Sequence, residues 1–348
     1  AQSLPLVDFS SDELFYLPNL ARISTNGMKQ LLSAPASNQS FGLQAMTEEI
    51  HATFQIESIH SSRNSIRHIL NGYAPRNEEE SRIYGMKRGL DFIADRQNTI
   101  TEENLHQLYQ ISTGDYLPDE DRLLPDHFYR HDVVYVVDGE ESREGLPAQQ
   151  LPDAMKRLVD FVNAKDGINE LHKAAILHFA FAYYHPYFDG NGRTARLLRL
   201  WYLVQQGYPA ALFTPFSRYI AESKAAYYKA YDRVEKNALI SGYTDVTPFL
   251  SYFCNEVYNR LQVDAAPPQA DLQVYQTALA EGKITEKERL LWEYVLSAYG
   301  TEEFTTKQLE KDFRNAAYAT IRTFVMKFHE MELLVARKTG NRVFYKVK

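Results

Sequence analysis

The stretch His185-Pro-Tyr-Phe-Asp-Gly-Asn-Gly-Arg-Thr-Ala-Arg196 brings together a base, a carboxylate, two glycines and two arginines. Each residue type suits phosphate chemistry. Gly190 and Gly192 let the backbone take positive φ and approach a ligand with its N–H groups outward. The apolar series Leu197, Leu198, Leu200, Trp201, Leu203 and Val204 predicts a helix starting near Gly192. The N-terminus of such a helix carries unpaired N–H groups and partial positive charge. Arg193 and Arg196 add forked, fully charged donors. Asp189 is a hard oxygen ligand of the kind Mg²⁺ uses when phosphates and water complete its shell. His185 has a side chain that titrates near working pH and can take a proton from an attacking hydroxyl.

The elements that must position these groups read as helices. Apolar residues recur at three- and four-residue intervals, and period-2 alternation is scarce. Helices are predicted over about 40–57, with Phe41, Leu43, Met46, Ile50 and Phe54 on one face, and over 78–96 and 101–113. Thr101 followed by two acids marks a helix start. Pro152 opens another helix, and one from about Asn169 runs into the signature with His178 as a core histidine on its apolar face. Residues 1–35, with Pro5, Pro18 and Pro35, read as irregular. The clearest strand in the first two-thirds is 128–139, β-branched and aromatic, ending in the hairpin signal Asp138-Gly139 before a weak returning strand.

Residues 185–196 resemble the signature of the Fic family, His-Pro-Phe-x-(Asp/Glu)-Gly-Asn-Gly-Arg-x-x-Arg. They match at every position except Tyr187, which stands where Phe is usual, so its added hydroxyl needs a partner. The resemblance spans roughly 40–255 and is strong over 183–200. It implies that His185 activates a target hydroxyl and that Asp189 holds Mg²⁺. Gly190, Asn191, Gly192 and Arg193 would hold the α- and β-phosphates of ATP, and Arg196 the γ-phosphate. The implied reaction moves AMP onto a Ser, Thr or Tyr hydroxyl of a protein and releases pyrophosphate. The resemblance also implies a β-hairpin flap in which Val133, Val134, Tyr135 and Val136 receive the target by strand addition. In the helix beginning Lys224-Ala-Ala, Tyr227 and Tyr228 either touch the adenine or pack in the core.

Fic proteins of one class carry an inhibitory helix ahead of the core, with the pattern (Ser/Thr)-x-x-x-Glu-(Gly/Asn). Thr53-Phe-Gln-Ile-Glu57-Ser58 resembles it, although Ser58 departs from the usual Gly or Asn. Thr53 and Glu57 are four apart and would share a helix face. The implied role of Glu57 is to pair with Arg196 and exclude the productive γ-phosphate pose. The alternative is a solvated glutamate on an amphipathic helix.

Beyond Pro267-Pro268, a connector signal, Thr285-Glu-Lys-Glu288 and Thr305-Thr-Lys-Gln308 match capping boxes, and Gly300 reads as a C-cap. A third helix, about 316–331, and two strands around Thr339-Gly-Asn complete a pattern similar to the winged-helix modules of bacterial regulators. Residues 315–348 hold seven Lys/Arg against two Glu, whereas the whole chain carries −7. That reversal suits a phosphate-facing surface built from Arg322, Lys327, Arg337, Lys338 and Arg342. A protein-docking module with a solvated basic wing is the other reading.

With 348 residues, 45% hydrophobic and 24% charged, the chain has ample material for two globular units. Its single cysteine, Cys254, excludes an intrachain disulfide and a cysteine-based zinc site. Neither a secretory signal nor a membrane-length apolar run is legible, so a cytoplasmic, membrane-free protein is expected. The 24 tyrosines are expected mainly as helix-packing residues. The expected fold is mainly α: an N-terminal helical region over 1–100, a Fic-type bundle with a hairpin flap over 101–262, a linker over 263–282 and a winged helix-turn-helix over 283–348. Expected partners are a target protein with a modifiable hydroxyl and duplex DNA, and a homodimer is left open. Two rival functions remain: removal of AMP or another nucleotidyl or phospho-group transfer, and a DNA-binding regulator that senses nucleotide.

Overall fold

The computed structural model describes residues 1–32, 41–138, 141–208, 210–261, 269–299 and 302–348. Ser40, Gly139, the Pro267-Pro268 connector and Gly300 lie outside the described residues. The chain starts with an antiparallel pair, β1 (Gln2–Val7) and β2 (Glu13–Tyr16). Five helices follow: α1 (Thr25–Leu32), α2 (Phe41–Ile56), α3 (Arg63–Leu70), α4 (Glu78–Ala94) and α5 (Glu102–Ser112). A second antiparallel pair, β3 (Tyr135–Asp138) and β4 (Glu141–Glu144), sets Tyr135 opposite Glu144. Then come α6 (Leu151–Asn163), α7 (Glu170–Tyr184), α8 (Asn191–Gln205), α9 (Phe216–Glu222), α10 (Lys224–Ser241) and α11 (Thr247–Tyr252). The last elements are α12 (Gln269–Ala280), α13 (Glu286–Ala298), α14 (Thr306–Phe313), α15 (Tyr318–Glu330) and the hairpin β5 (Leu334–Thr339)–β6 (Arg342–Val347).

The helices that position the signature form the centre of the larger core. Of α7, thirteen residues are buried, and α8 is buried without a break from Arg193 to Val204. Such all-round burial marks helices packed on every side. The Asn169 side chain caps α7 by accepting from the N–H groups of Leu171 and His172, and Thr101 caps α5 through Asn104 N–H. On α2, Ile50 and Phe54 are buried as the helical spacing requires. A second apolar cluster gathers Leu291, Trp292, Phe304, Ile321, Phe324, Val325, Phe328 and Leu334 from α13 to β5. Here Thr285 and Glu288 form the full capping box, and Thr305 accepts from Gln308 N–H. This C-terminal group packs through α13 on α2. Tyr294 on α13 also bonds Asn71 just beyond α3.

Two expectations are corrected. Of the expected irregular stretch 1–35, residues 33–35 lie outside the described residues, and the rest is not irregular, since Leu4, Leu6, Leu14 and Tyr16 are all buried on the inner face of β1–β2. Pro5 obscured that alternation, and a two-stranded sheet tolerates proline because its edges need no ladder partner. The strand expected over 128–139 shortens to Tyr135–Asp138. The upstream part is held as loop by Arg130, whose N–H donates to the Pro186 carbonyl. Val133 and Val134 therefore precede the strand, though the Val134 carbonyl accepts from Gly145 N–H at 2.9 Å. Among the described residues, no helix is long and apolar enough to cross a membrane.

Candidate active site

His185 ends α7 in the left-handed region, at φ 54° and ψ 61°. A non-glycine residue there costs on the order of 1 kcal/mol, so the turn must be held by its surroundings. Arg130 does this: its Nε donates to the His185 carbonyl at 2.7 Å, Nη1 to Asp132 at 2.8 Å, and Nη2 to Leu146 and Tyr184. The same side chain thus ties the base of the β3–β4 hairpin to the histidine. The His185 ring sets Nδ1 3.3 Å from the Ala182 carbonyl, which can only accept. Nδ1 therefore carries the proton, and Nε2 presents a lone pair. Burial, reinforced by the positive charge of Arg143, lowers the ring's pKa to about 4, against weak opposition from the Ala182 bond. The ring is a neutral base at neutral pH.

The loop after His185 folds back on itself through Asn191. Its Oδ1 accepts from Tyr187 N–H at 2.9 Å and its Nδ2 donates to the Tyr187 carbonyl at 2.8 Å. Gly190, at φ +78°, caps α8, and a Cβ there would lie 2.3 Å from Thr113 Cγ2, so only glycine fits. The N–H groups of Asn191, Gly192 and Arg193 open α8, where no earlier turn can accept from them. Asp189 is exposed, and its Oδ1 accepts from Gly190 N–H at 2.6 Å. The Tyr187 ring is buried and stacks on Tyr109 at 3.7 Å, but its hydroxyl has no hydrogen-bond partner among the described residues. The partner expected for that hydroxyl is not found.

Of the three buried guanidiniums on α8, those of Arg193 and Arg196 meet one carboxylate. Glu57 Oε2 lies 3.0 Å from Arg196 Nη2 and 3.1 Å from Arg193 Nε. Arg196 also donates from Nε to Thr53 Oγ1 at 2.7 Å and from Nη2 to the Thr53 carbonyl at 3.2 Å. Burial works against the charge on Arg196, but Glu57 together with Tyr227, Tyr228 and Glu49 outweighs it, and the pKa is raised. Glu57 sits one residue past the end of α2, and Ser58 takes φ 56°. A left-handed position at 58 explains why Gly or Asn suits this place, since both enter that region more easily than Ser. The two residues reach one arginine from the last turn of α2, Thr53 within the helix and Glu57 from its trailing end.

Residues 99–203 match the Fic/DOC family model. This stretch is similar to a Fic domain. The chain is 39% identical over 141 residues to the protein adenylyltransferase Fic of Drosophila grimshawi, covering 39% of this chain and 27% of that protein. It is 25% identical over 181 residues to the protein adenylyltransferase fic-1 of Caenorhabditis briggsae, covering 50% and 31%. The chain thus matches about a third or less of the length of these relatives. A Fic family protein from Desulfovibrio desulfuricans shares the fold at a TM-score of 0.56 and 17% identity, over 89% of this chain and 88% of that one. A Fic domain-containing signaling protein from Bacteroides thetaiotaomicron does so at 0.50 and 21% identity, over 69% and 89%.

Other predicted residues fall at different distances from the Fic signature. Tyr227 is buried and hydrogen-bonded to His178 at 2.8 Å and to Tyr231 at 3.2 Å. Its ring lies within the aromatic core with Phe249 and Tyr252. Tyr228 reaches the end of α2, donating to the Ile56 carbonyl at 3.3 Å. On the hairpin, Tyr135 and Val133 are exposed while Val134 and Val136 are half-buried. Sequence reasoning missed Arg130 and Arg143. The latter pairs with Glu235 at 2.7 Å and donates to the Tyr183 carbonyl, anchoring β4 to α7 and α10. A charged residue inside a β-branched run was the only available hint. Titrating the His185 Hε1 resonance should give a midpoint near 4 rather than the ordinary 6.5, rising in Arg143→Ala; a midpoint at or above 6 would contradict the buried, neutral ring.

Proposed function

We propose that the chain is a protein adenylyltransferase that moves AMP from ATP to a Ser, Thr or Tyr hydroxyl of a protein. The observation that carries this reading is the neutral His185 ring, with Nε2 unengaged among the described residues, beside the opening turn of α8. Relatives named as protein adenylyltransferases match this chain over up to half its length, which supports the same conclusion. Nε2 takes the proton from the target hydroxyl as its oxygen attacks the α-phosphorus. The bond between the α-phosphorus and the bridging oxygen breaks, and pyrophosphate leaves. The free N–H groups of α8 and the Arg193 guanidinium face the charge that spreads over the phosphates. Among the described residues, no group of three or more His, Cys, Asp or Glu could hold a metal. The exposed carboxylate of Asp189 fits Mg²⁺ bound through one carboxylate, phosphates and water. Such an ion would neutralise charge between the phosphates.

Glu57 restrains this activity by keeping Arg193 and Arg196 paired. Both arginines are nearly fully buried, so loss of Glu57 leaves Arg196 in want of an anion and Arg193 with only Asp189 at 3.7 Å, and the phosphates of ATP supply the missing charge. Tyr135 and Val133 on the exposed hairpin edge receive the target peptide by strand addition. Transfer from labelled ATP should rise in Glu57→Gly, on the chain itself and on lysate proteins, and fall by ~10²–10⁴ when His185→Ala is added. Undiminished labelling by the double variant would remove His185 as the base. Nucleotide hydrolysis without labelling would remove the transferase.

The division at 101–262 and 283–348 into catalytic core and winged helix belongs to the same proposal, as does duplex DNA binding by the latter. The separate apolar cluster from α13 to β6 and the three-helix-plus-hairpin order support it. Arg322, Lys338 and Arg342 are exposed and available for phosphate. Lys327 is bonded to Glu288 and to the Lys283 carbonyl, and Arg337 to Glu303, so these two contribute only after those pairs open. Arg322, Lys338 and Arg342, unpaired among the described residues, should therefore together dominate the salt dependence, with a log–log slope of roughly −0.9 per neutralised phosphate. Replacing Lys338 and Arg342 by Ala should flatten that slope on random duplex more than replacing Arg337. The reverse order, or no complex at low salt, would favour protein docking.

A further inference from the structure

The seam between α3 and α14 encloses a cavity of about 390 Å³. Arg67 and Arg76 line one side, and Lys307, Lys311 and Arg314 the other, while Asp312 is the one carboxylate in the lining. Two of these cations are already neutralised. Arg76 pairs with the buried Glu80 at 2.7 Å, and Arg67 Nη2 pairs with Glu302. Lys307, Lys311 and Arg314 enter no ion pair among the described residues. Asp312 is occupied in part, accepting from the Tyr299 hydroxyl at 2.8 Å. In a chain of net charge −7, this concentration of unanswered positive charge is local.

Among the described residues, Arg67 Nε is a buried donor with no hydrogen-bond partner, and the neighbouring His68 Nε2 has only the Glu80 carboxylate, 3.9 Å away. Arg67 is more than nine-tenths buried, at 8% exposed, and burial lowers its pKa against the pull of Tyr299 and Asp312. An unmet donor on a buried cation costs several times more than one in water. An anion in the cavity would answer the charge of this guanidinium across the lining. The wall is also aromatic: Tyr73 stacks on His68 at 4.7 Å and 25°, and the Arg314 guanidinium lies over the Tyr73 ring. The volume falls within the range of small-molecule sites, and a concave wall with converging cations focuses potential on a compact anion.

We propose that this cavity binds a small phosphorylated molecule. Lys307, Lys311 and Arg314 hold its phosphate, backed by the charge of Arg67. The site lies outside the Fic signature and takes residues from both α3 and α14. A phosphate group could come free in solution or on a nucleic-acid backbone, and the concave shape selects the free form.

Calorimetric titration of the full chain with ribose 5-phosphate, inorganic phosphate and a short DNA duplex tests this. Ribose 5-phosphate should bind saturably and weaken at least about tenfold in Lys307→Glu/Lys311→Glu. The milder Lys307→Ala should weaken it less. Both lysines are exposed, so the unfolding temperature should not change. Binding should persist in Arg193→Ala, which separates this site from the catalytic one. The proposal is overturned by absence of saturable binding to either small phosphate, by affinity indifferent to both lysines, or by lysine-dependent binding of the duplex alone.

Discussion

Two guanidiniums stand almost dry at the start of α8, and the carboxylate of Glu57 comes within 3.1 Å of both. Burying a cation is unfavourable unless an anion and hydrogen bonds meet it, and breaking such a pair by removing one partner typically costs about 3–5 kcal/mol. The contact therefore constrains more than two side chains. It requires α2 to end where it does, Ser58 to take a left-handed turn, and Thr53 to face Arg196 from the last helical turn. It also couples the N-terminal helices to the centre of the bundle.

The rest of the site depends on the mutual burial of α7 and α8. Because both helices are enclosed, the short loop between them cannot drift, and His185 and Gly190 hold left-handed positions at its two ends. Arg130 and Asn191 complete the scaffold by satisfying the backbone groups that the loop leaves open. Arg130 in addition bonds the carbonyls at the base of the hairpin, so the hairpin and the histidine share one support. Low pKa, fixed tautomer and fixed backbone at His185 follow from the same packing.

The signature and most helices were legible because they rest on local rules. Thr101, Asn169 and Thr285 cap the helices they were expected to cap or precede, and Ile50 and Phe54 face the core at helical spacing. The misses are tertiary. Pro5 masked the alternation of Leu4 and Leu6, and Arg130 converted a strand-like run into an anchored loop. Neither effect is encoded in period or propensity. The positive φ at Ser58 shows the opposite case, in which a small departure from a family pattern has a conformational reason visible only in three dimensions. Lys327 and Arg337 had the charge for a nucleic-acid surface, but Glu288 and Glu303, distant in sequence, already engage them.

The central claim is that Glu57 competes with phosphate for the arginines. The most direct measurement is ATP affinity, by calorimetry, across Glu57→Gly, Arg196→Ala and the double variant, with the parent as reference. The account predicts tighter binding in Glu57→Gly and no such gain once Arg196 is absent, a non-additive cycle of the kind shared partners produce. Equal ATP affinity in the parent and Glu57→Gly, or a gain that survives the loss of Arg196, would contradict it.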